Sequence, residues 1–307
     1  MRKIFVILAA GLIWAASAYG QQTAFPESLV NRDPRAAAMG GAGSADCSSM
    51  AYSSMNNLAT LPFCTPKGEV AASYSLNSKD ALWNGGVNFG AGFKAGKRLA
   101  FGIGGTLWNG SSYDIIDETG CSTGTFTAKN MLFNGGFGVK ISDFLGIGAG
   151  IDYTNESIAP ENSLTAIGAK AAVYSNTGAL GITLGVNMKG KVTDMHGTDF
   201  KMPSYIFAGA CYKAKFGEKN LLSACADANY YFTSSISAAL GLEYAWNDMV
   251  FVRGGYSYAS LESPLPSFLS AGLGLKFFGI KIDVACMIAN GTVQANNILT
   301  AGIGYCF

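Results

Sequence analysis

The chain has 307 residues, of which 49% are hydrophobic and only 13% are charged. This composition excludes a disordered chain, and the net charge of +1 excludes the basic surface that nucleic acids require. After the first twenty residues, no apolar run reaches the about 18 residues of a membrane-spanning helix. An apolar chain without such a helix favours an all-β membrane protein, because a closed barrel also satisfies every backbone polar group in lipid.

The first twenty residues have the pattern of a secretory signal peptide. Two basic residues precede an apolar stretch over 4–18, and Ala18 and Gly20 occupy positions −3 and −1 of a cleavage site before Gln21. We therefore predict a signal peptide over 1–20 and Sec-dependent export. An exported barrel of this size predicts the cell outer membrane as its location, with outer-membrane lipid as its surroundings.

Residues 21–67 lie between the signal peptide and the first predicted strand, and we predict that they form a hatch inside the barrel lumen. Glycines on the inward parity of the strands support this, because a missing side chain lets another backbone approach closely. Relief of strand curvature in a small barrel is an alternative explanation of the same glycines. These glycines are Gly90, Gly92, Gly102, Gly104, Gly136, Gly138, Gly146, Gly148, Gly150, Gly181, Gly185, Gly272, Gly274, Gly302 and Gly304.

Residues 68–307 are divided into segments of alternating character by turn residues. An even number of segments of about ten residues is typical of a bacterial transmembrane barrel. We predict a 14-stranded antiparallel transmembrane β-barrel with strands at 68–77, 85–94, 98–109, 130–141, 145–156, 164–175, 178–190, 204–216, 220–231, 236–246, 249–259, 268–278, 280–289 and 298–307.

The connections between the predicted strands alternate between tight turns and longer polar segments. This alternation disfavours a soluble β-sandwich and is typical of outer-membrane barrels, in which short turns and both termini face the periplasm. The longest predicted loop, about 109–129, contains Cys121 and is the best candidate for a surface contact.

Each predicted strand has one apolar face, which we expect to contact lipid. A charge on that face at the bilayer midplane would cost about 2–4 kcal/mol, so segregation of charge to the inward face supports a barrel. The terminal strand ends in Tyr305 and Phe307, which predict recognition by the barrel-assembly machinery during insertion. The inward mid-strand charges are Lys94, Lys140, Asp152, Lys170, Lys189, Lys213, Lys215, Asp227, Glu243, Arg253, Lys276, Lys281 and Asp283.

Two pairs of inward residues are placed symmetrically about tight turns. Glu243 and Arg253 are equidistant from Asp248, so we predict that they form a lumen ion pair across the hairpin. Cys211 and Cys225 flank the preceding turn in the same way and form a possible disulfide. Facing residues have Cβ atoms about 4.5–5.5 Å apart, whereas disulfides prefer about 3.8 Å, so two free thiols are the alternative.

The N-terminal segment carries two short motifs in order: an Arg-x-x-(x)-Ala-Met-Gly-Gly-Ala stretch, then a box similar to Asn-Pro-Ala-Gly-Leu without its proline. With these motifs, the chain resembles the FadL-like outer-membrane barrels, and more closely the PorV/PorQ branch found in Bacteroidota. The matching hatch-motif residues are Arg35, Met39, Gly40, Gly41, Ala42, Asn57, Leu58 and Ala59.

The resemblance implies a fourteen-stranded barrel whose N-terminal segment plugs the lumen. PorV-like members serve the type IX secretion system, where they hold cargo or partner subunits. The function we expect from it is docking of partner or cargo proteins, as a subunit of an outer-membrane export or assembly complex. The alternative, implied by the wider family, is a channel for uptake of hydrophobic small molecules.

Residues for catalysis are scarce. The chain has one histidine, His196, in a predicted outside loop, and it contains no Gly-x-Ser-x-Gly, P-loop or His-Glu-x-x-His motif. We therefore predict no enzymatic activity, no catalytic or metal-binding residues, no cofactor and no nucleic-acid partner.

Overall fold

The computed structural model describes residues 26–77, 83–117, 120–160, 162–193, 199–260, 262–289 and 297–307. The predicted signal peptide over 1–20 and His196 lie outside the described residues. No helix in the described ranges is long and apolar enough to cross a membrane.

Fourteen antiparallel strands close into one barrel, in which β1 is hydrogen-bonded to both β2 and β16. The predicted fourteen-stranded fold is confirmed. A small separate hairpin, β8–β9, lies between β7 and β10. The strands are β1 Gly68–Leu76, β2 Trp83–Lys94, β3 Leu99–Ile116, β4 Ser122–Lys140, β5 Leu145–Ala159, β6 Asn162–Asn176, β7 Leu180–Lys189, β8 Lys191–Thr193, β9 Asp199–Lys201, β10 Tyr205–Phe216, β11 Asn220–Tyr231, β12 Ile236–Trp246, β13 Val250–Ala259, β14 Phe268–Phe277, β15 Ile280–Ala289 and β16 Ile298–Cys306.

The strand β12 shows why this sequence forms a barrel wall. Its outward residues Leu240 and Leu242 are 62% and 57% exposed, whereas inward Glu243 and Ala245 are buried. The alternation has the two-residue period of a strand, and it places the apolar face outside and the charge inside. This is the reverse of a soluble protein and the arrangement of an outer-membrane-type barrel.

The two ends of the barrel differ. At one end, called here the turn end, the short turns occur and Gly68 is hydrogen-bonded to Phe307. At the other end, called the hairpin end, β3 and β4 extend beyond their neighbours. The pairing of β3 with β2 stops at Gly110, and that of β4 with β5 stops at Lys129, so the tip of this hairpin pairs only with itself.

The extended hairpin corrects the prediction of a long loop over 109–129. Most of these residues belong to β3 and β4, and exposed Cys121 lies at the tip. Cross-strand contacts explain the difference: the rings of Tyr113 and Phe126 are 5.7 Å apart, and the hydroxyls of Ser112 and Thr127 are 2.7 Å apart. Polar residues on both faces hide the alternation that identifies the other strands.

The N-terminal residues 30–64, called here the inner segment, contact the inward face of the wall on many strands. The segment contains one short helix, α1 (Pro34–Ala38), and a 3-10 helix over Leu58–Phe63; another 3-10 helix, Pro26–Leu29, precedes it. Asp33 caps α1 by accepting a hydrogen bond from the Arg35 amide, and Pro34 stands at the first helical position. The chain then turns at Gly40 and Gly41, whose φ angles are 74° and 83°.

Glycines on the wall make the close contact with the inner segment possible. A methyl group at Gly148 would overlap the backbone nitrogen of Ala59, and one at Gly138 would overlap the Leu58 carbonyl oxygen. Most of the predicted inward glycines have a neighbour of this kind in the inner segment; Gly185, Gly274 and Gly304 meet only the wall. Three glycines that the prediction omitted also have such a neighbour in the inner segment: Gly209, Gly241 and Gly255.

The glycine contacts predict a difference between two alanine substitutions. Gly148→Ala should destabilise the folded barrel by about 1–3 kcal/mol, because the added methyl group overpacks the contact with Ala59. The matched control is Gly135→Ala, since an added Cβ there meets only ordinary contacts at 3.5 and 3.6 Å. Urea titration of both variants, with the folded fraction scored by heat-modifiable gel mobility, measures the effect. Equal midpoints would contradict the packing argument.

Candidate functional site

The predicted hatch-motif residues lie together in the inner segment. Met39 is fully buried and packs on Gly241 and Gly255 of the wall. Gly40 donates its amide to the Ser270 hydroxyl at 2.7 Å, and Ala42 is fully buried beside it. The motif glycines therefore allow the chain to turn and to approach β13 and β14 closely.

The second motif box fixes another turn of the inner segment. The Asn57 side chain accepts from the Ala59 amide at 2.9 Å and donates to the Ser44 carbonyl and to the Thr183 hydroxyl. Leu58 and Ala59 are buried against the glycines of β4 and β5. The asparagine side chain caps the 3-10 helix, so this turn forms without the proline that the resembling family has.

An ion-pair network joins the inner segment to the wall at Arg35. Its guanidinium donates to both oxygens of Glu243, at 2.8 Å each, and also contacts Asp46. Glu243 accepts from Arg253 at 2.6 Å, and these two residues face each other in the β12–β13 ladder. Lys213 lies 2.7 Å from Asp46 and completes the neutralisation of the buried carboxylates.

Other inward charges bind the inner segment through its backbone. Asp227 accepts the amides of Gly43 and Ser44 at 2.9 Å each. Lys170 donates to the Ser54 carbonyl at 2.7 Å, while Glu69 accepts the Met50 amide at 2.6 Å. These contacts satisfy backbone groups that would otherwise be buried without partners.

The protonation of the inner-segment carboxyls follows from these partners. Burial alone would raise the pKa of Asp46, but the charges of Arg35 and Lys213 hold it well below its usual range. Burial raises the pKa of Asp33 to about 6, although Arg35 opposes the shift. Asp46 therefore stays ionised as an anchor, whereas Asp33 is ionised only near neutral pH and above.

The remaining predicted residues lie in the wall. Cys211 and Cys225 face each other in the β10–β11 ladder and are joined by a disulfide. The disulfide belongs to a buried cluster that includes Met39 of the inner segment. Tyr305 and Phe307 are 49% and 61% exposed at the turn end, and no contact tests their predicted role in assembly.

A chamber of about 150 Å³ lies on the hairpin-end side of the inner segment. One side of it is polar and aromatic and is formed by strands β3 to β13. The opposite side is apolar and belongs to a buried cluster in which Val30 of the inner segment packs with wall residues of β14, β15 and β16. The chamber-lining residues that matter below are Thr106, Leu132, Asn134, Asp152, Lys170, Asn187, Tyr205, Phe207, Tyr231, Ala239, Phe268 and Met287.

Sequence analysis missed several of these residues. Asp46 and Glu69 carry anchoring charges, but the inner segment has no periodicity from which an inward direction can be read, and Glu69 lies at the start of its strand. Asn134 has the inward parity and lies beside Gly135 and Gly136. An inward amide in a glycine-rich strand is the sequence feature that could have identified it as a lumen residue. Within the described part of the chain, no cluster of histidine, cysteine and acidic side chains suits a metal ion.

The chain matches no protein-family model and no curated protein sequence. Among solved structures, the toluene transporter TbuX of Ralstonia pickettii is 15% identical with a TM-score of 0.63, over 91% of this chain and 99% of that chain. The CymD monoaromatic hydrocarbon channel is 15% identical with a TM-score of 0.66, over 91% and 98%. A FadL homologue of Pseudomonas aeruginosa is 13% identical with a TM-score of 0.56, over 89% and 98%.

The chain has the fold of the FadL-like channels. Identities of this size establish the shared architecture only, and they do not distinguish the PorV/PorQ branch that the motifs resemble. Two of the three matched structures are a toluene transporter and a monoaromatic hydrocarbon channel.

The ion-pair network predicts a strong effect of one substitution. Arg35→Met should release the inner segment, because the Asp46 and Glu243 carboxylates would remain buried without their main partner, at a cost of about 3–5 kcal/mol. Chymotryptic cleavage at Tyr52, which is 3% exposed, should then accelerate by about 100-fold or more.

The control for Arg35→Met is Lys276→Met. Lys276 pairs with Asp248 at 2.6 Å, but both side chains are solvent-accessible, so the pair contributes at most about 1 kcal/mol. Cleavage at Tyr52 should keep the wild-type rate in this variant. Similar rates for the two variants would show that Arg35 does not anchor the segment.

Proposed function

We propose that the protein is a passive outer-membrane channel for small molecules with an apolar body. The carrying observation is the chamber of about 150 Å³, whose apolar side is lined by Val30 of the inner segment and by Phe268 and Met287 of the wall. Apolar side chains on the wall of a chamber that also carries a few polar groups suit a solute with an apolar body. The shared fold with hydrocarbon channels supports the same function.

The inner segment acts in this proposal as the hatch of the channel. It packs on glycines of the turn-end half and leaves the chamber on its hairpin-end side. A solute would enter the chamber from the hairpin end, which faces outward if the short turns and termini face the periplasm, as in other barrels. Signal-peptide export and assembly through Tyr305 and Phe307 belong to the same proposal.

Uptake measurements with a chamber-filling variant test the channel. Wild-type protein, expressed in Gram-negative cells with an intact lipopolysaccharide leaflet, should raise the initial rate of radiolabelled toluene uptake several-fold over the empty vector. Ala239→Phe should lose this gain, because Ala239 lines the chamber and is 7% exposed.

The neighbouring residue provides the matched control for the chamber-filling variant. Ala238 has the outward parity and is exposed to lipid, so Ala238→Phe adds the same side chain outside the lumen and should keep wild-type uptake. Folded barrel is scored by gel mobility in each strain. Uptake equal to the vector in the presence of folded wild-type protein would refute the channel.

Docking of a partner protein is a second proposal, favoured by the extended β3–β4 hairpin. Tyr113 and Ile116 on this hairpin are 43% and 63% exposed, at a level where its strands pair only with each other. Unpaired strand edges with exposed apolar side chains are typical of protein contacts. The proposed partner is a subunit or cargo of an outer-membrane export complex.

Shortening the hairpin separates the two proposals. Replacement of residues 112–126 by a two-residue turn should leave toluene uptake unchanged, because the chamber lies below this level. Chemical crosslinking of the protein in its native membrane should capture a partner with the full-length hairpin and lose it with the short one. An unchanged crosslinking pattern would exclude the hairpin as the docking site.

A further inference from the structure

The polar side of the chamber contains buried side-chain atoms without a hydrogen-bond partner among the described residues. Both amide atoms of Asn134, the carbonyl oxygen of Asn187 and the hydroxyl of Thr106 are in this state, although the three residues are only 7%, 5% and 1% exposed. Buried polar groups in folded proteins are normally paired, since each unpaired group costs about 1–3 kcal/mol. Their position on the chamber wall indicates that something in the chamber pairs with them.

The charged residues beside Asn134 are already neutralised. Asp152 faces Asn134 in the β4–β5 ladder, and its carboxylate lies 2.7 Å from the Lys170 ammonium. Lys170 is held further by the Ser54 carbonyl of the inner segment. Apart from the carboxylate oxygens of Asp152, the unpaired atoms form a neutral set with at least one donor, Asn134 Nδ2, and two acceptors, Asn134 Oδ1 and Asn187 Oδ1.

Aromatic rings complete this side of the chamber. The Tyr205 ring lies 6.1 Å from Phe207 and 5.4 Å from Tyr231, measured between ring centroids. The Tyr205 hydroxyl accepts from the Asn187 amide at 3.3 Å, which places rings and unpaired amides at one level of the lumen. The rings are tilted by 55° to one another and give this side of the chamber apolar surface beside its polar groups.

These features select among ligand classes. A hydrocarbon ring would leave the Asn134 amide unpaired, and a carboxylate can accept from Asn134 Nδ2 but cannot donate to the carbonyl oxygens of Asn134 and Asn187. A hydroxyl group both donates and accepts, so it can pair with the neutral set. The chamber of about 150 Å³ has the size at which a cavity holds one benzene-sized ring.

We propose that the chamber binds a neutral monoaromatic alcohol, a single ring bearing a hydroxyl group, in preference to a monoaromatic hydrocarbon or an aromatic carboxylate. The Asn134 amide forms hydrogen bonds with the hydroxyl group of the ligand, and Leu132, Phe207 and Phe268 contact its ring. This inference rests on the proposed channel function and names its solute class.

Equilibrium dialysis of the detergent-solubilised full-length protein against radiolabelled phenol, toluene and benzoate at pH 7.5 tests the inference. Phenol should bind about tenfold more tightly than toluene, which leaves the buried amide unpaired, or benzoate, whose ionised carboxylate has no donor for the Asn134 carbonyl oxygen. In Asn134→Leu, a substitution of similar volume, phenol affinity should fall about tenfold, while toluene affinity is kept or rises.

A serine outside the chamber provides the control. Ser223 is fully buried with an unpaired hydroxyl, but it lies opposite Glu243 and not on the chamber wall, so Ser223→Ala should keep the phenol preference. Retained toluene binding shows that Asn134→Leu is folded with an intact chamber.

The possible outcomes separate this inference from the channel proposal. Toluene binding as tight as phenol binding, or equal losses of both in Asn134→Leu, would overturn the hydroxyl preference and leave the channel standing. Binding of neither ring compound to folded wild-type protein would overturn both.

Discussion

The structure depends on close approach between the backbone of the inner segment and a glycine-lined wall. A closed barrel with an apolar exterior has an interior that must be filled by side chains, by water or by another part of the chain. Over much of the turn-end half, the inward positions of the wall are glycines. Leu58, Ala59 and Met39 of the inner segment fill the space that side chains would otherwise occupy. Because several of these contacts are made to backbone atoms of the inner segment, as at Gly138 and Gly148, an added methyl group on the wall has no flexible side chain to push aside.

Close packing of the inner segment on the wall buries polar groups that need hydrogen-bond or ion-pair partners. Charged side chains of the wall provide these partners. Arg35 and Asp46 would be costly to bury alone, but Glu243, Arg253 and Lys213 surround them with opposite charge. Such a network adds little net stability compared with an apolar core. Its effect is positional, because the segment can bind in one register only, with each charge opposite its partner.

The wall was more predictable than its contents. Strand positions, the inward direction of Glu243 and Arg253, and the facing of Cys211 and Cys225 follow from a two-residue period and from symmetry about tight turns. The 109–129 hairpin escaped prediction because polar residues on both of its faces interrupt the apolar alternation. The partners of Arg35 were not predicted, because an irregular segment has no period that relates one residue to its neighbours in space. Resemblance to a family motif identifies a residue such as Arg35 but does not say which residues it contacts.

The same constraint explains why the chamber differs from the filled half. Toward the hairpin end the wall regains side chains, so the lumen there is shaped by Phe268 and Met287 on one side and by Asn134 and Tyr205 on the other. A lumen that only excluded water would not need a buried, unpaired amide opposite an apolar surface. An amphipathic cavity would instead orient the proposed solute, with its polar group toward β4 and its apolar body toward β14 and β15. In the proposed channel, selectivity therefore arises where the glycines end, and the inner segment forms the floor of the chamber.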